Sequence, residues 1–255
     1  MSPELVHYAV DRAIATVTLD SPENRNALSA QLVGELSAHL QAAAADGAVR
    51  AVVLAHTGTT FCAGADLNEA AAEGGPEQAT TRMLALLRSI VELPKPVIAR
   101  IEGHVRAGGL GIVGACDIAV AGPASSFAFT EVRLGLAPAI ISLTTLGRMS
   151  ERAAARYYLT GEPFDAPTAA AAGLITTAVD DVDVEVAAIT EALRGCSPQG
   201  LAETKPLTTI GAVVAFEQRA EQVHRQSARL FGSDEAREGM TAFLQRRPPS
   251  WAAPA

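Results

Sequence analysis

The run "VIARIEGHVRAGGLGIVGACDIAVAG", residues 97–122, decides how this chain is read. Its ends, "VIARIEG" (97–103) and "DIAVAG" (117–122), have the apolar composition of short buried strands. Between them Gly109, Gly111 and Gly114 stand in the spacing G-x-G-x-x-G, and Glu131 follows Gly109 by 22 residues. Taken literally, this is a dinucleotide-binding fingerprint with its ribose-binding acid. The context does not support that reading. A dinucleotide turn runs from its strand almost directly into the first glycine, then through a helix to a strand tipped by the acid. Here "GHVRAG" (103–108) intervenes, the second strand ends at Gly122-Pro123 without an acid, and Glu131 comes one strand too late. Two other uses of the glycines remain. They allow close packing of a short helix on a sheet, and they open a helix whose first N–H groups face whatever sits there.

A second segment has the same design. "AVVLAH" (51–56) reads as a buried strand, and "FCAGADLNE" (61–69) follows it as a glycine turn entering a helix, with Asp66 placed as its cap. Two such turns in one α/β core could aim their N–H groups at one oxygen, the arrangement that stabilises an enolate or a tetrahedral anion.

The rest of the chain fits an α/β core followed by helices. "LVHYAVDRAIATVTLD" (5–20) reads as two strands around Asp11-Arg12, and Ser29 caps a helix over 30–45. A helix is expected over 83–93, ended by "PKP", and a short strand over 126–131. From about residue 140 the pattern is mostly helical, with a long segment from Pro198 to about Leu230 and a Ser233-capped helix after it. The division expected is a core over 1–195 and a helical region over 196–255.

Composition sets the function classes. The chain has 255 residues, 49% hydrophobic and 19% charged, enough for a large core. Its net charge of −8 argues against general nucleic-acid binding, though not against a phosphorylated small ligand. No apolar run approaches the roughly 20 residues that span a bilayer. The N-terminal "MSPELVHYAV" does not look like a signal peptide. Cys62, Cys116 and Cys196 form no C-x-x-C pair, so a reducing cytoplasm is expected and Cys62 reads best as a small buried thiol. The five histidines form no metal-like cluster, so no metal site is expected.

Taken together, these stretches resemble the crotonase (enoyl-CoA hydratase/isomerase) superfamily. The similarity lies in "SPENRNALS" (21–29), "FCAGADLNE", "PKPVIARIEGHVRAGGLGIVGACDIAVAG" (94–122), "FAFTEVRLGLAP" (127–138), "GEPFDAPTAAAAGLI" (161–175) and "EGMTAFLQRRPPSW" (238–251). The resemblance implies an α/β fold, a spiral of ββα units with a helical C-terminal trimerisation region, assembled as a homotrimer or a hexamer. It implies an acyl-CoA thioester substrate and no separate cofactor, CoA being part of the substrate. By position, the N–H groups of Ala65 and Gly108 would form the oxyanion hole. Ala63, Asp66 and Leu67 in the same loop, with Arg25, would lie along the CoA. Phe243 and Arg246 match positions that reach a neighbouring subunit's CoA. Read without the resemblance, Phe243 is an ordinary core anchor and the two arginines are surface charges.

Family hydratases use two glutamates. One falls on Glu131; the other falls on Gly111, a departure from the pattern. Glu131 alone suffices for Δ3,Δ2-enoyl-CoA isomerisation. It can serve hydration only if it both takes the water proton and returns one to the α-carbon. The run "EVRLGLAPAIISL" (131–143) also resembles methylglutaconyl-CoA-type hydratases, which can carry Gly at that place, so hydration is placed ahead of isomerisation. A non-catalytic acyl-CoA-binding paralogue is the alternative outside enzymes. His104 and Arg106 flank the turn and could supply a donor or meet a polar acyl tail, His104 reading better as structural. Glu69 reads as solvent-facing.

Overall fold

A computed structural model describes residues 3–66, 69 and 76–252. It opens with an antiparallel hairpin of β1 (Val6–Asp11) and β2 (Ile14–Leu19), Asp11 facing Ile14. The turn falls on Arg12 and Ala13, one residue later than expected. Both have positive φ, 42° and 67°, the geometry whose twist matches the flanking strands. Next comes α1 (Ala30–Ala45), where Ser29 Oγ accepts the Leu32 N–H at 3.2 Å, as its sequence suggested. Leu32, Leu36 and Leu40 bury its inner face.

Three strand pairs follow. They are β3 (Ala51–His56) with β4 (Thr60–Cys62), β5 (Val97–Ile101) with β6 (His104–Arg106), and β7 (Ile118–Ala121) with β8 (Ser126–Ala128). The helix after β4 is α2 (Pro76–Glu92), which begins well before the expected residue 83; the helix after β6 is α3 (Gly108–Ala115). The strand expected over 126–131 ends at Ala128, and a 3-10 turn, Thr130–Leu134, takes over. Then come α4 (Ser142–Thr145), α5 (Glu151–Thr160), β9 (Phe164–Asp165), α6 (Ala166–Ala172), β10 (Thr177–Ala178) and α7 (Val182–Arg194). The long α8 (Pro198–Phe231) and α9 (Asp234–Leu244) close the chain.

The first strand of each pair enters one sheet and the second enters another. The larger sheet has the order β1-β2-β3-β5-β7-β10, parallel from β2 onward; the smaller has the order β4-β6-β8-β9, parallel except for β9. Repetition of this step, strand to large sheet, strand to small sheet, helix back, is the spiral of ββα units implied by the resemblance. β3 is buried along its whole length, as a central parallel strand covered on both faces requires. One face of the large sheet meets α1 and α2 in the main core; the other, through Val53, Ile98 and Val120, meets Val182 and Val186 of α7.

The long helix is pinned by one buried cation. Lys205 Nζ pairs with Asp117 Oδ2 at 2.8 Å and donates to the carbonyls of Ile90 and Lys95 at 2.9 and 3.0 Å. The same Asp117 oxygen accepts the Val97 N–H at 2.7 Å. This cluster joins α8, the end of α2 and the first residues of β5 and β7. Burial lowers the Lys205 pKa, and Asp117 opposes that shift. We expect Lys205→Met to strand the Asp117 carboxylate and to lower stability by about 3–5 kcal/mol. Urea denaturation measures this, and a loss below about 1 kcal/mol, the range of surface pairs, would contradict it.

Candidate active site

The site is built at one edge of the small sheet. β4, β6 and β8 lie side by side and parallel, so the residues that leave their C-terminal ends emerge together. Those residues are Ala63–Ala65 after β4, Ala107 and Gly108 after β6, and Phe129–Glu131 after β8. β6, hidden in "GHVRAG" and read from sequence as a mere connection, is the strand that joins the other two. Its ladder sets Arg106 opposite Ala128, and the Ala107 N–H continues it onto the Ala128 carbonyl at 3.2 Å.

The first turn is clamped by the segment before α1. The Arg25 carbonyl accepts the Ala63 N–H at 3.1 Å, and the Leu28 N–H donates to the Gly64 carbonyl at 2.8 Å. That segment holds its shape through Asn26, which sequence reading passed over inside "NRNALS". Arg25 and Asn26 both have left-handed backbones, φ 53° and 52°. The Asn26 side chain, fully buried, accepts the Ser21 N–H at 2.7 Å and donates to the Thr57 and Thr60 carbonyls at 3.1 and 2.7 Å. A polar residue with all its hydrogen bonds satisfied inside a core fixes one loop conformation. Its only sequence signal was an asparagine just before the apolar pair Ala27-Leu28.

Gly64 (φ 88°) then meets the second turn backbone to backbone. A Cβ on it would lie 2.8 Å from Ala107 Cβ and 3.2 Å from Gly108 N, so no side chain fits. Ala107 itself is held at φ 45°, ψ −117°, a backbone shape that L residues adopt only under constraint. The outcome is that Ala65 and Gly108 line the same cavity, of about 510 Å³. Their N–H groups have no acceptor among the described residues. Gly108 is the first residue of α3 and has no partner within the helix.

Glu131 lines the same cavity from the third strand end. The residue is half-buried, yet its Oε2 is sealed from solvent and lacks a hydrogen-bond partner among the described residues. Loss of hydration pushes its pKa up to about 7, where a carboxyl group can both take and give a proton near neutrality. Tyr158 is close enough to feel the Glu131 charge, but its hydroxyl is bound to Thr145 Oγ1 at 2.5 Å.

Gly111 lies one turn into α3 with no room for an acid. A Cβ there would fall 2.5 Å from Ile141 Cγ2 and 3.2 Å from Leu87 Cδ1. Ile141, from the segment that follows Glu131, thus occupies the direction a side chain at 111 would take, and sequence spacing held no sign of it.

The remaining sequence-derived residues divide. Arg25, Ala63, Asp66, Arg106 and Phe243 line the cavity; His104 and Arg246 do not, and Leu67 lies outside the described residues. Asp66 accepts from Asn24 Nδ2 at 2.8 Å and caps the Glu69 N–H at 3.2 Å. Glu69, expected to face solvent, instead accepts the Ala30 N–H at the start of α1 at 2.6 Å. His104 is exposed and bonded to Ser126 Oγ at 2.8 Å. Phe243, half exposed, faces this chain's own cavity rather than the core. Cys62 is buried and its thiol is pushed up to about 12, which leaves it inert.

Comparison with known proteins agrees with this architecture. The family described as enoyl-CoA hydratase/isomerase matches residues 9–254. A "Probable enoyl-CoA hydratase" of Rhodobacter capsulatus is 35% identical, the match covering 98% of each chain. A solved enoyl-CoA hydratase structure from Mycobacterium avium is 55% identical with a TM-score of 0.91, covering 98% of this chain and 100% of that one. The chain belongs to the enoyl-CoA hydratase/isomerase family.

Restoring an acid by Gly111→Glu is expected to cost about 1–3 kcal/mol of stability through overpacking. Ile141→Ala in the same chain should recover part of that loss. Thermal or urea unfolding reads both, and a Gly111→Glu protein as stable as its parent would show that Ile141 does not fill the space.

Proposed function

We propose, with membership of this family as the premise, that the chain hydrates 2-enoyl-CoA thioesters reversibly through an enolate. The thioester oxygen accepts the Ala65 and Gly108 N–H groups. Water attacks C3 as the Glu131 carboxylate takes its proton; the π electrons move to C2 and on to the thioester oxygen as an enolate. Glu131, now protonated, returns a proton to C2, and the carbonyl re-forms. Removal of one oxyanion donor typically costs about 2.7–4 kcal/mol of barrier, so two fixed backbone donors suit the charge that develops. CoA is the handle of the substrate, lying along Arg25, Ala63, Asp66 and Phe243, and this chemistry needs no further cofactor.

The observation that carries the reading is the buried Oε2 of Glu131, without a hydrogen-bond partner among the described residues, in a cavity also lined by Ala65 and Gly108. A pure binding protein has no use for such a carboxyl group, whose burial costs stability. Hydration is placed first because the relatives above bear hydratase names. A second reading, Δ3,Δ2-enoyl-CoA isomerisation, is favoured by Ile141 standing where a second acid would be. In that case Glu131 takes a proton from C2 and returns it to C4, with the same oxyanion donors. We also propose that the enzyme is cytoplasmic and a homotrimer or hexamer, with the helices of residues 196–255 making subunit contacts beyond the core of 1–195.

Separate incubation with 2-enoyl-CoA and 3-enoyl-CoA panels distinguishes the reactions: water addition without migration of the double bond decides for hydration. Glu131→Gln should lower kcat at least about 10²-fold. Unchanged turnover in that variant would overturn the mechanism.

The pH dependence follows from the raised pKa of Glu131. For hydration the carboxylate form is the base, so kcat/KM should rise through a pKa of about 7 and then level. Stability should move the other way. The folded protein holds this proton more tightly than the unfolded chain, so the stability present below the ordinary carboxyl range is lost as pH rises through about 7. Glu131→Gln should remove that slope from the pH dependence of unfolding.

A further inference from the structure

We propose that Ser227 and Thr80 recognise a hydroxyl group on the acyl chain, so that the preferred substrate is a CoA thioester whose acyl group carries an alcohol beyond C3. This rests on the acyl-CoA reading above. Ser227 lies in α8 and is only 7% exposed where it lines the cavity. A serine or threonine inside a helix commonly gives its hydrogen to a carbonyl one turn back. This chain does so elsewhere: Ser37 donates to the Val33 carbonyl at 2.7 Å and Thr209 to the Lys205 carbonyl at 3.0 Å. Ser227 does not. Among the described residues its Oγ has no hydrogen-bond partner. Nor is that oxygen sealed, as the Oε2 of Glu131 is, so its open side is the cavity. A buried hydroxyl left unpaired costs free energy that a hydrogen bond from a ligand recovers.

Thr80 lines the same cavity from α2 and is 4% exposed. The two helices are tied together beside these residues: Thr81 Oγ1 lies 3.0 Å from His224 Nε2, and Ser227 is one turn beyond His224 in α8. Thr80 Oγ1 gives its hydrogen to the Glu77 carbonyl at 2.9 Å. A hydroxyl has a single hydrogen, so Thr80 can only accept from a ligand, whereas Ser227 can donate as well as accept. A carbonyl or carboxylate oxygen would meet the Thr80 oxygen with no hydrogen to share. An alcohol accepts from Ser227, donates to Thr80 and so satisfies both. Ala79, Met83 and Phe231 in the same lining suit the methylenes that carry it. Met83 gives the scale. Its Cε lies 3.4 Å from where a Gly108 Cβ would stand, and Thr80 is one helical turn away, roughly 5 Å along the axis. A thioester seated on Ala65 and Gly108 therefore reaches the two hydroxyls with a carbon beyond C3. That separates this alcohol from the one that hydration creates.

The test uses unreactive saturated thioesters, so binding is read apart from turnover. Hexanoyl-CoA and 6-hydroxyhexanoyl-CoA have equal chain length and differ in the terminal hydroxyl. Calorimetry on the whole chain should show 6-hydroxyhexanoyl-CoA binding about three- to tenfold tighter, the effect of neutral hydrogen bonds formed in place of those to water. Ser227→Ala keeps the space but removes the donor; it should abolish the preference and leave hexanoyl-CoA unchanged. Ser227→Thr should keep part of the preference, and Thr80→Val should lower it. The proposal is overturned if the parent protein does not prefer the hydroxylated thioester, or if Ser227→Ala leaves that preference intact. It is equally overturned if Ser227→Ala weakens both thioesters alike, since Ser227 would then serve the CoA arm. A preference untouched by Thr80→Val would mean that an acceptor oxygen suffices, and the assignment of an alcohol fails. If neither thioester binds, the acyl-CoA reading itself fails, and this inference with it.

Discussion

The close approach of Gly64 to the Ala107–Gly108 turn is the constraint on which the site depends. Adjacent parallel strands run about 4.8 Å apart, so chains leaving β4 and β6 at the same edge meet unless their side chains are minimal. Glycine at 64, alanine at 107 and glycine at 108 keep them minimal. Ala65 and Gly108 then line the cavity with backbone held in fixed positions, with no side-chain entropy to lose when a ligand arrives. β8, the next parallel neighbour, brings Glu131 to the same edge. Three consecutive strand ends thus supply two donors and an acid from segments that are far apart in sequence.

Holding this edge together has costs that other parts of the molecule offset. Ala107 sits in a strained backbone region, and the Oε2 of Glu131 is deprived of solvent without a hydrogen-bond partner among the described residues. Strain of this kind persists only where the surroundings over-determine it. Asn26 supplies part of that determination by tying Ser21, Thr57 and Thr60 into one rigid loop behind the first turn. At the other end of β5, Lys205 and Asp117 lock the long helix to the strands of the larger sheet. The α9 helix lies directly on the Glu131 turn, Gly239 against Leu134 and Glu235 against Gly135, so the C-terminal helices help to close the site.

Much of this was legible in residues, and the exceptions share a cause. Long periodic elements such as α1, β3 and α8 were readable because their patterns repeat over several residues. Both glycine turns were readable because glycines cluster where backbone must approach backbone. The three-residue strand β6 was not, because His104–Arg106 is too short to show alternation and is defined only by its neighbours β4 and β8. Glu131 was placed at the end of a strand; the 3-10 turn that carries it is a local break in pairing that composition does not mark. Glu69 looked like a surface charge, because its partner, the Ala30 N–H, lies 39 residues earlier in the chain.

By itself the sequence determined the class of fold, the two glycine turns and the lone acid at 131. Each of these depends on local chemistry: apolar periodicity, the absence of a Cβ, and the identity of one side chain. Tertiary structure alone decided which of these meet. It set β6 between β4 and β8, brought Ile141 into the space beside Gly111, and shielded the Oε2 of Glu131. Proximity, desolvation and the lack of a counter-charge are properties of the space around a residue, and that space is filled by segments remote in sequence.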